Sequence, residues 1–189
     1  FHQSALEDGV IPLCAALGRQ DGGDARRAIT LLRKAGDLAR TENAESVSTD
    51  HVERAQEKLE AQQSMDIMRD LTEHEQLTLY ALTTLAAEGT TPARSRLVYR
   101  RYKELCEFQD RDHRTARRMR SFLSDFEILN LTISYMEHRG QDGGTYREHE
   151  LNRDIATVVD ALQTFISEFG AHRSIIEYLP DSGEEFAAL

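Results

Sequence analysis

Up to residue 126 the apolar side chains of this 189-residue chain recur at spacings of three and four; beyond residue 129 they fall into two short runs around Gly140-Gln141-Asp142-Gly143-Gly144. The first spacing specifies helices, and the second a hairpin with a glycine-rich tip. Thr72 with Glu75 forms a capping box, and Leu77, Tyr80, Ala81, Thr84 and Leu85 make a helical stripe that stops at Gly89. Pro92 breaks the chain. A second helix carries Leu97, Val98, Tyr102, Leu105 and Cys106, and a third, capped by Asp112, turns Ala116, Met119, Phe122, Leu123 and Phe126 inward. The hairpin uses residues 129–136 and 145–151, and a closing helix over 154–169 buries Ile155, Val158, Val159, Leu162, Phe165 and Ile166. Three helices followed by a hairpin is the order of a winged helix.

The first 60 residues read as helix alone. Residues 10–17 are apolar, with Pro12 near the start, where proline is tolerated. Gly22-Gly23 ends that element. With Asp24 as start signal, a second helix places Ala25, Ala28, Ile29, Leu32, Ala35, Leu38 and Ala39 on one face. Arg26 and Arg27 stand in its first turn, against the helix dipole, which suggests an anionic partner. Ser48 caps a third helix, Val47 staples against Val52, and Val52, Ala55, Gln56 and Leu59 face inward. The expected fold class is therefore mainly α: a three-helix bundle over 1–60, a connector over 61–70, a winged helix with a small hairpin wing over 71–170, and a tail over 171–189. The connector contains neither Gly nor Pro, so it can continue the preceding helix. For the tail, packing back on the domain and serving a partner both stay open.

Acids outnumber bases by ten, and arginine outnumbers lysine 20 to 3. That combination resembles adaptation to high internal salt, as in halophilic archaea. The charge is uneven, since residues 90–120 carry a net +6 while every other segment is acidic. A phosphate backbone is to be sought there. Cys14 and Cys106 have no metal-ligand spacing and read as buried thiols in a reducing cytoplasm. No run has the length of a membrane span, so no membrane partner is expected.

Gly23-Asp24-Ala25-Arg26, with the helix after it, resembles the sensor-2 segment in the lid of AAA+ ATPases, in the form carried by archaeal replication initiators of the origin-recognition/cell-division-control family. Leu71-Thr-Glu-His-Glu-Gln-Leu-Thr-Leu-Tyr-Ala-Leu82 resembles the family's opening winged-helix segment, L-x-x-H-E-x-x-x-L-x-A-L, and Tyr99-Arg-Arg-Tyr-Lys-Glu-Leu-Cys106 its second helix. The resemblance covers residues 1 to about 170. It implies an AAA+ lid before the winged helix, and Arg26 matches the arginine that reaches nucleotide phosphates. The chain opens on Phe1 and contains no G-x-x-x-x-G-K-[ST] and no strand ending in paired magnesium-binding acids. It is expected to be a C-terminal part of a longer initiator, with no enzymatic activity and no cofactor of its own. ATP or ADP with Mg would bind the full-length parent. By resemblance, that parent binds double-stranded origin DNA and helps load the MCM helicase, alongside other initiator subunits.

On the third helix the inward residues leave Arg114, Arg117, Arg118 and Ser121 outside, with His113 and Thr115 near the start. Arg117 and Arg118 are the candidates for base edges, because a guanidinium fork pairs bidentately with guanine. Arg114 and Arg120 suit phosphates, as do Arg94, Arg96, Arg100 and Arg101 on or before the second helix. In the wing, Arg139, Gly140, Gln141, Gly143 and Gly144 can approach a minor groove, which Asp142 opposes. His74-Glu75 lacks the second histidine of a zinc hydrolase, and His138, His149 and Glu150 read as solvent-facing. Two other functions stand beside the DNA reading: a protein-interaction module for helicase or initiator partners, supported by the acidic bulk and unusual wing, and a transcriptional regulator.

Overall fold

The computed structural model describes residues 5–20, 25–138 and 145–179. Gly22, Gly23, Asp24, the wing tip from Arg139 to Gly144, and residues 180–189 lie outside the described residues. The chain divides into two compact units, residues 1–63 and 64–189.

In the first unit, α1 (Val10–Gln20), α2 (Ala25–Thr41) and the start of α3 (Thr49–Arg69) enclose Val10, Cys14, Leu31, Ala35, Ala39, Val47, Val52 and Ala55. Hydrophobic periodicity places α2 correctly but misses its rotation. Leu31 is fully buried, whereas Ala25 is exposed and Ile29 is 67% exposed. The packed line runs through Ala28, Leu31, Ala35 and Ala39, and Ile29 lies about 120° around the helix from its centre. Gly18 explains how closely α1 approaches that line. A Cβ added there would stand 3.0 Å from the Ala28 Cβ and 3.2 Å from its backbone nitrogen. The start of α3 is held by a polar cluster. Ser48 Oγ accepts the His51 backbone N–H at 3.4 Å, and His51 Nε2 lies 3.2 Å from Glu42. Arg54 closes on the same carboxylate, which its guanidinium holds below the usual carboxylate range.

The second unit is built around α4 (Glu73–Ala87), whose residues from Leu77 to Leu85 are all buried. A helix surrounded on every side must satisfy its polar side chains internally. Thr78 and Thr83 do so by donating to the carbonyls of His74 and Leu79 at 2.8 and 2.9 Å. Glu75 accepts the Thr72 backbone N–H at 2.8 Å, as the capping box requires. At the other end Gly89 takes φ +67°, and Thr90 N–H returns to the Leu85 carbonyl at 2.9 Å. Around α4 pack α5 (Ser95–Phe108), α6 (Ala116–Ile128), and two short helices, α7 (Ile155–Ala161) and α8 (Gln163–Phe169). The expected closing helix is thus interrupted at Leu162, although its N–H still reaches the Val158 carbonyl at 3.0 Å.

The hairpin strands are β2 (Thr132–His138) and β3 (Thr145–Leu151), with a two-residue strand, β1 (Ala93–Arg94), on the far side of β3. Residues 129–131 are a turn rather than strand, with Asn130 at φ 57°. The sheet is antiparallel, Ala93 opposite His149 and Ser134 opposite His149. His149 corrects the expectation of a solvent-facing side chain: it is 2% exposed. Its Nε2 lies 2.8 Å from Ser95 Oγ and its Nδ1 2.9 Å from Ser134 Oγ, which ties the start of α5 to both hairpin strands. The tail packs back as far as residue 179. Tyr80 Oη accepts the His172 N–H at 2.6 Å and donates to the Gly170 carbonyl at 3.2 Å, and Ile175 of a closing 3-10 helix (Arg173–Tyr178) enters the core.

Two consequences can be measured. Gly18→Val should overpack the α1–α2 crossing and lower the stability of the first unit by about 1–3 kcal/mol, read as a reduced urea midpoint. Burial brings the His149 imidazole down to about 4, and His74 and His172 are lowered as well. Unfolding therefore takes up protons, so the stability these neutral histidines confer is complete above about pH 6.5 and is lost as pH falls toward 4. The melting temperature should decline between pH 7 and 5, less steeply in His149→Gln.

Candidate nucleic-acid interface

The polypeptide entering α6 is held by two tyrosines of α5. Tyr102 is fully buried, and its hydroxyl accepts the Arg114 backbone N–H at 2.9 Å; Tyr99 donates to the Arg114 carbonyl at 3.2 Å. Arg114 is thereby kept outside the helix, and Thr115 becomes the N-cap, its hydroxyl accepting the Arg118 N–H at 3.2 Å. Asp112, expected as the cap, lies three residues too early.

Met119, Phe122, Leu123 and Phe126 anchor α6 to the core, so Arg117 points directly away from it, with Ser121 close to the same line. Arg118 flanks that line on one side, its guanidinium 4.7 Å from the centre of the Phe122 ring. Arg120 flanks it on the other side, where Arg147 of β3 reaches Ser124 at 3.5 Å and Glu127 at 3.6 Å. Arg114, Arg117, Arg118 and Arg120 are exposed, and none has a carboxylate partner among the described residues. The cationic surface is confined to the entry and first two turns, since Asp125, Glu127 and an 83% exposed Ile128 follow.

The arginines around α5 behave differently. Arg101, by sequence a candidate for phosphate, instead grips Glu88 with its guanidinium at 2.8 and 3.1 Å and Thr84 Oγ1 at 2.9 Å, and the side chain is only 15% exposed. It lies about 200° around α5 from Tyr99, on the side away from the start of α6. Its work is to fasten α5 to the end of α4, where it holds the Glu88 carboxyl below the usual range. Arg100 is exposed beside Glu104, at 3.7 Å. Arg94 stacks 3.8 Å from the Tyr146 ring and pairs with Glu148 at 3.5 Å. Arg94, Arg96 and Arg100 share a cleft of about 440 Å³ with Pro92, Leu97 and Glu148.

His113 lies edge-on to Tyr99, 3.4 Å from its hydroxyl, and Ser121 is half-buried. Arg26 stands exposed in the first turn of α2. Arg139, Gly140, Gln141, Asp142, Gly143 and Gly144 fall outside the described residues. Sequence reasoning missed β1, the tyrosine hydroxyls and the Arg147 tie, none of which leaves a periodic signal. Cys14 and Cys106 are buried free thiols. Among the described residues there is no cluster of three His, Cys, Asp or Glu able to hold a metal, and no helix long and apolar enough to cross a membrane.

A helical unit followed by a three-helix domain, a hairpin wing and a bare cationic entry to the third helix defines a winged-helix protein with an additional helical domain before it. Residues 1–57 match the Cdc6 AAA+ ATPase-type lid domain, and residues 66–161 match the Cdc6 C-terminal winged helix domain; the chain belongs to this ORC1/Cdc6 family. Over all 189 residues it is 91% identical to ORC1-type DNA replication protein 2 of Haloarcula marismortui, covering 46% of that protein. Over 152 residues, 80% of the chain, it is 40% identical to the ORC1-type DNA replication protein of Pyrococcus abyssi, covering 36% of it. Among solved structures it resembles the Aeropyrum pernix ORC1 protein in complex with DNA, with 36% identity, a TM-score of 0.74, and coverage of 87% of this chain and 42% of that one. The chain thus spans less than half the length of the relatives it matches.

If Arg101 is structural, Arg101→Met should lower the melting temperature of the second unit by several degrees, from the loss of a largely buried ion pair. Affinity for duplex DNA, read by fluorescence anisotropy, should stay within twofold of wild type.

Proposed function

We propose that this chain is the DNA-holding part of a replication initiator and that α6 enters the major groove of double-stranded origin DNA. The observation that supports this best is the absence of carboxylate partners at Arg114, Arg117, Arg118 and Arg120, among the described residues of a chain with ten more acids than bases. Elsewhere arginines find acids readily, as Arg54, Arg94, Arg101, Arg111 and Arg147 do. Four exposed guanidiniums left open at one helix entry fit a polyanion. Arg117, on the outermost line of α6, takes the base-edge role; Arg114 and Arg120 take backbone phosphates, with Arg100 and Arg96 behind them. The wing residues Arg139, Gly140, Gln141, Gly143 and Gly144 would meet the neighbouring groove. That the Aeropyrum pernix ORC1 relative is solved in complex with DNA supports the reading of this chain as DNA-binding.

In the whole protein, an ATPase domain would bind ATP or ADP with Mg, and Arg26 would approach its phosphates from the lid. The protein would help load the MCM helicase with other initiator subunits, in the cytoplasm. This chain alone would be neither an enzyme nor a nucleotide carrier. Exposed Ile128, Ile133, Tyr135 and Met136 near the end of α6 and on β2 favour a second role in contacting such protein partners.

The test is anisotropy titration with origin-type and scrambled duplexes from low to molar potassium chloride. Arg117→Ala should cost about 1–3 kcal/mol on the preferred duplex and reduce the preference itself. Arg117→Glu/Arg118→Glu should abolish binding to both. Binding indifferent to the double variant would transfer the assignment to the protein-contact role.

A further inference from the structure

Between the start of α4 and the entry to α6 lies a cleft of about 500 Å³ lined by Thr72, Glu73, His74, Arg114, Arg118 and Phe122. Its polar groups are mostly donors. The Tyr102 hydroxyl accepts the Arg114 N–H at 2.9 Å and lies 2.8 Å from His74 Nδ1, a bond in which it donates when the neutral ring carries its hydrogen on Nε2. In that tautomer, and in the charged imidazolium, Nε2 carries a hydrogen. That nitrogen has no partner among the described residues, and Arg114 and Arg118 have no acidic partner there either. The nearby acids are already engaged: Glu73 pairs with Arg111, and Glu75 accepts the N–H and hydroxyl of Thr72. An imidazole N–H and two guanidiniums around one cleft, with the adjoining carboxylate neutralised, match a tetrahedral oxyanion.

We infer that this cleft grips a phosphodiester of the bound duplex through His74 Nε2, Arg114 and Arg118, making the opening helix α4 a second anchor on the DNA backbone. The inference rests on the reading of α6 as the groove-entering helix. Arg118 flanks α6 opposite the side on which Arg120 and Arg147 lie, so the anchored phosphate sits across the groove from the wing. Backbone contacts on both flanks fix the rotation of α6 and so the bases that Arg117 meets. The charged and titratable groups facing His74 are Tyr102 on α5, Arg114 and Arg118 at α6, and Glu73 with its partner Arg111. Burial and Arg114 lower the imidazole in the free protein. A phosphate beside Nε2 acts in the opposite direction, so binding is accompanied by proton uptake and strengthens as pH falls from 7 toward 5.5.

The test uses the full 189-residue chain and His74→Asn, whose amide oxygen can still accept the Tyr102 proton while nothing occupies the Nε2 position. Affinity should fall about three- to tenfold, in the same direction for origin-type and scrambled duplexes, because every duplex offers the phosphate that the cleft holds. The pH dependence of binding should flatten, and His74→Gln, which restores an N–H near Nε2, should recover most of the affinity. In 15N-histidine spectra of the wild type, the His74 Nε2 signal should move on addition of duplex but not of equimolar inorganic phosphate. Unchanged affinity in His74→Asn, while Arg117→Ala still loses base preference, would overturn the anchor and leave the α6 reading intact. A signal moved equally by inorganic phosphate would overturn it too. If His74→Asn fails to fold, the spectra of the wild type decide.

Discussion

The hydroxyl of Tyr102 is the contact on which the geometry of this domain turns. It sits in the core, on α5, yet bonds at once to the backbone of Arg114 and to the ring of His74 on α4. A phenol buried this deeply must find hydrogen-bond partners, and burial drives its ionisation well above the ordinary tyrosine range. It remains a neutral group that can both donate and accept. With Arg114 held outside the helix, Thr115 takes the extended N-cap position and α6 begins at Ala116. One buried hydroxyl thus sets the phase of the helix, and with it which arginines face outward.

The charge distribution carries a related tension. An acid-rich surface repels DNA at long range, and the strength of phosphate contacts falls steeply with salt. A composition suited to concentrated salt therefore limits what α6 can gain from counterion release. Shape fit, base contact and anchoring from both flanks must supply the rest. Arg101 and Arg147 serve that end by holding elements in place rather than by touching a ligand, the first joining α5 to α4 and the second joining β3 to α6.

How far the fold and the interface were legible varies with the physics of each feature. Long stripes such as Leu77–Leu85 and Met119–Phe126 announce their helices, because apolar burial at fixed period repeats over several turns. The Thr72–Glu75 box was equally plain, being local chemistry over four residues. A two-residue strand such as β1 has no period to read. Ile29 reads as core from sequence because a stripe of alanines and leucines fits more than one rotation of α2; the contact between Gly18 and Ala28 chooses among them. His149 read as polar and exposed, since nothing near it in sequence reveals that Ser95 and Ser134 approach from separate elements.

The sequence by itself determined the class: helices where the apolar period is 3.6, a hairpin where it shortens, a basic window within an acidic chain, and motifs resembling those of archaeal initiators. These are properties of neighbours along the chain, and they survive without coordinates. Tertiary structure alone decided which arginines are open. Arg101 and Arg118 belong to the same basic window, yet α4 brings Glu88 to the first, while the second lies against the ring of Phe122 with no carboxylate partner among the described residues. Whether a charge is satisfied depends on what distant segments bring to it, and residue spacing does not encode that.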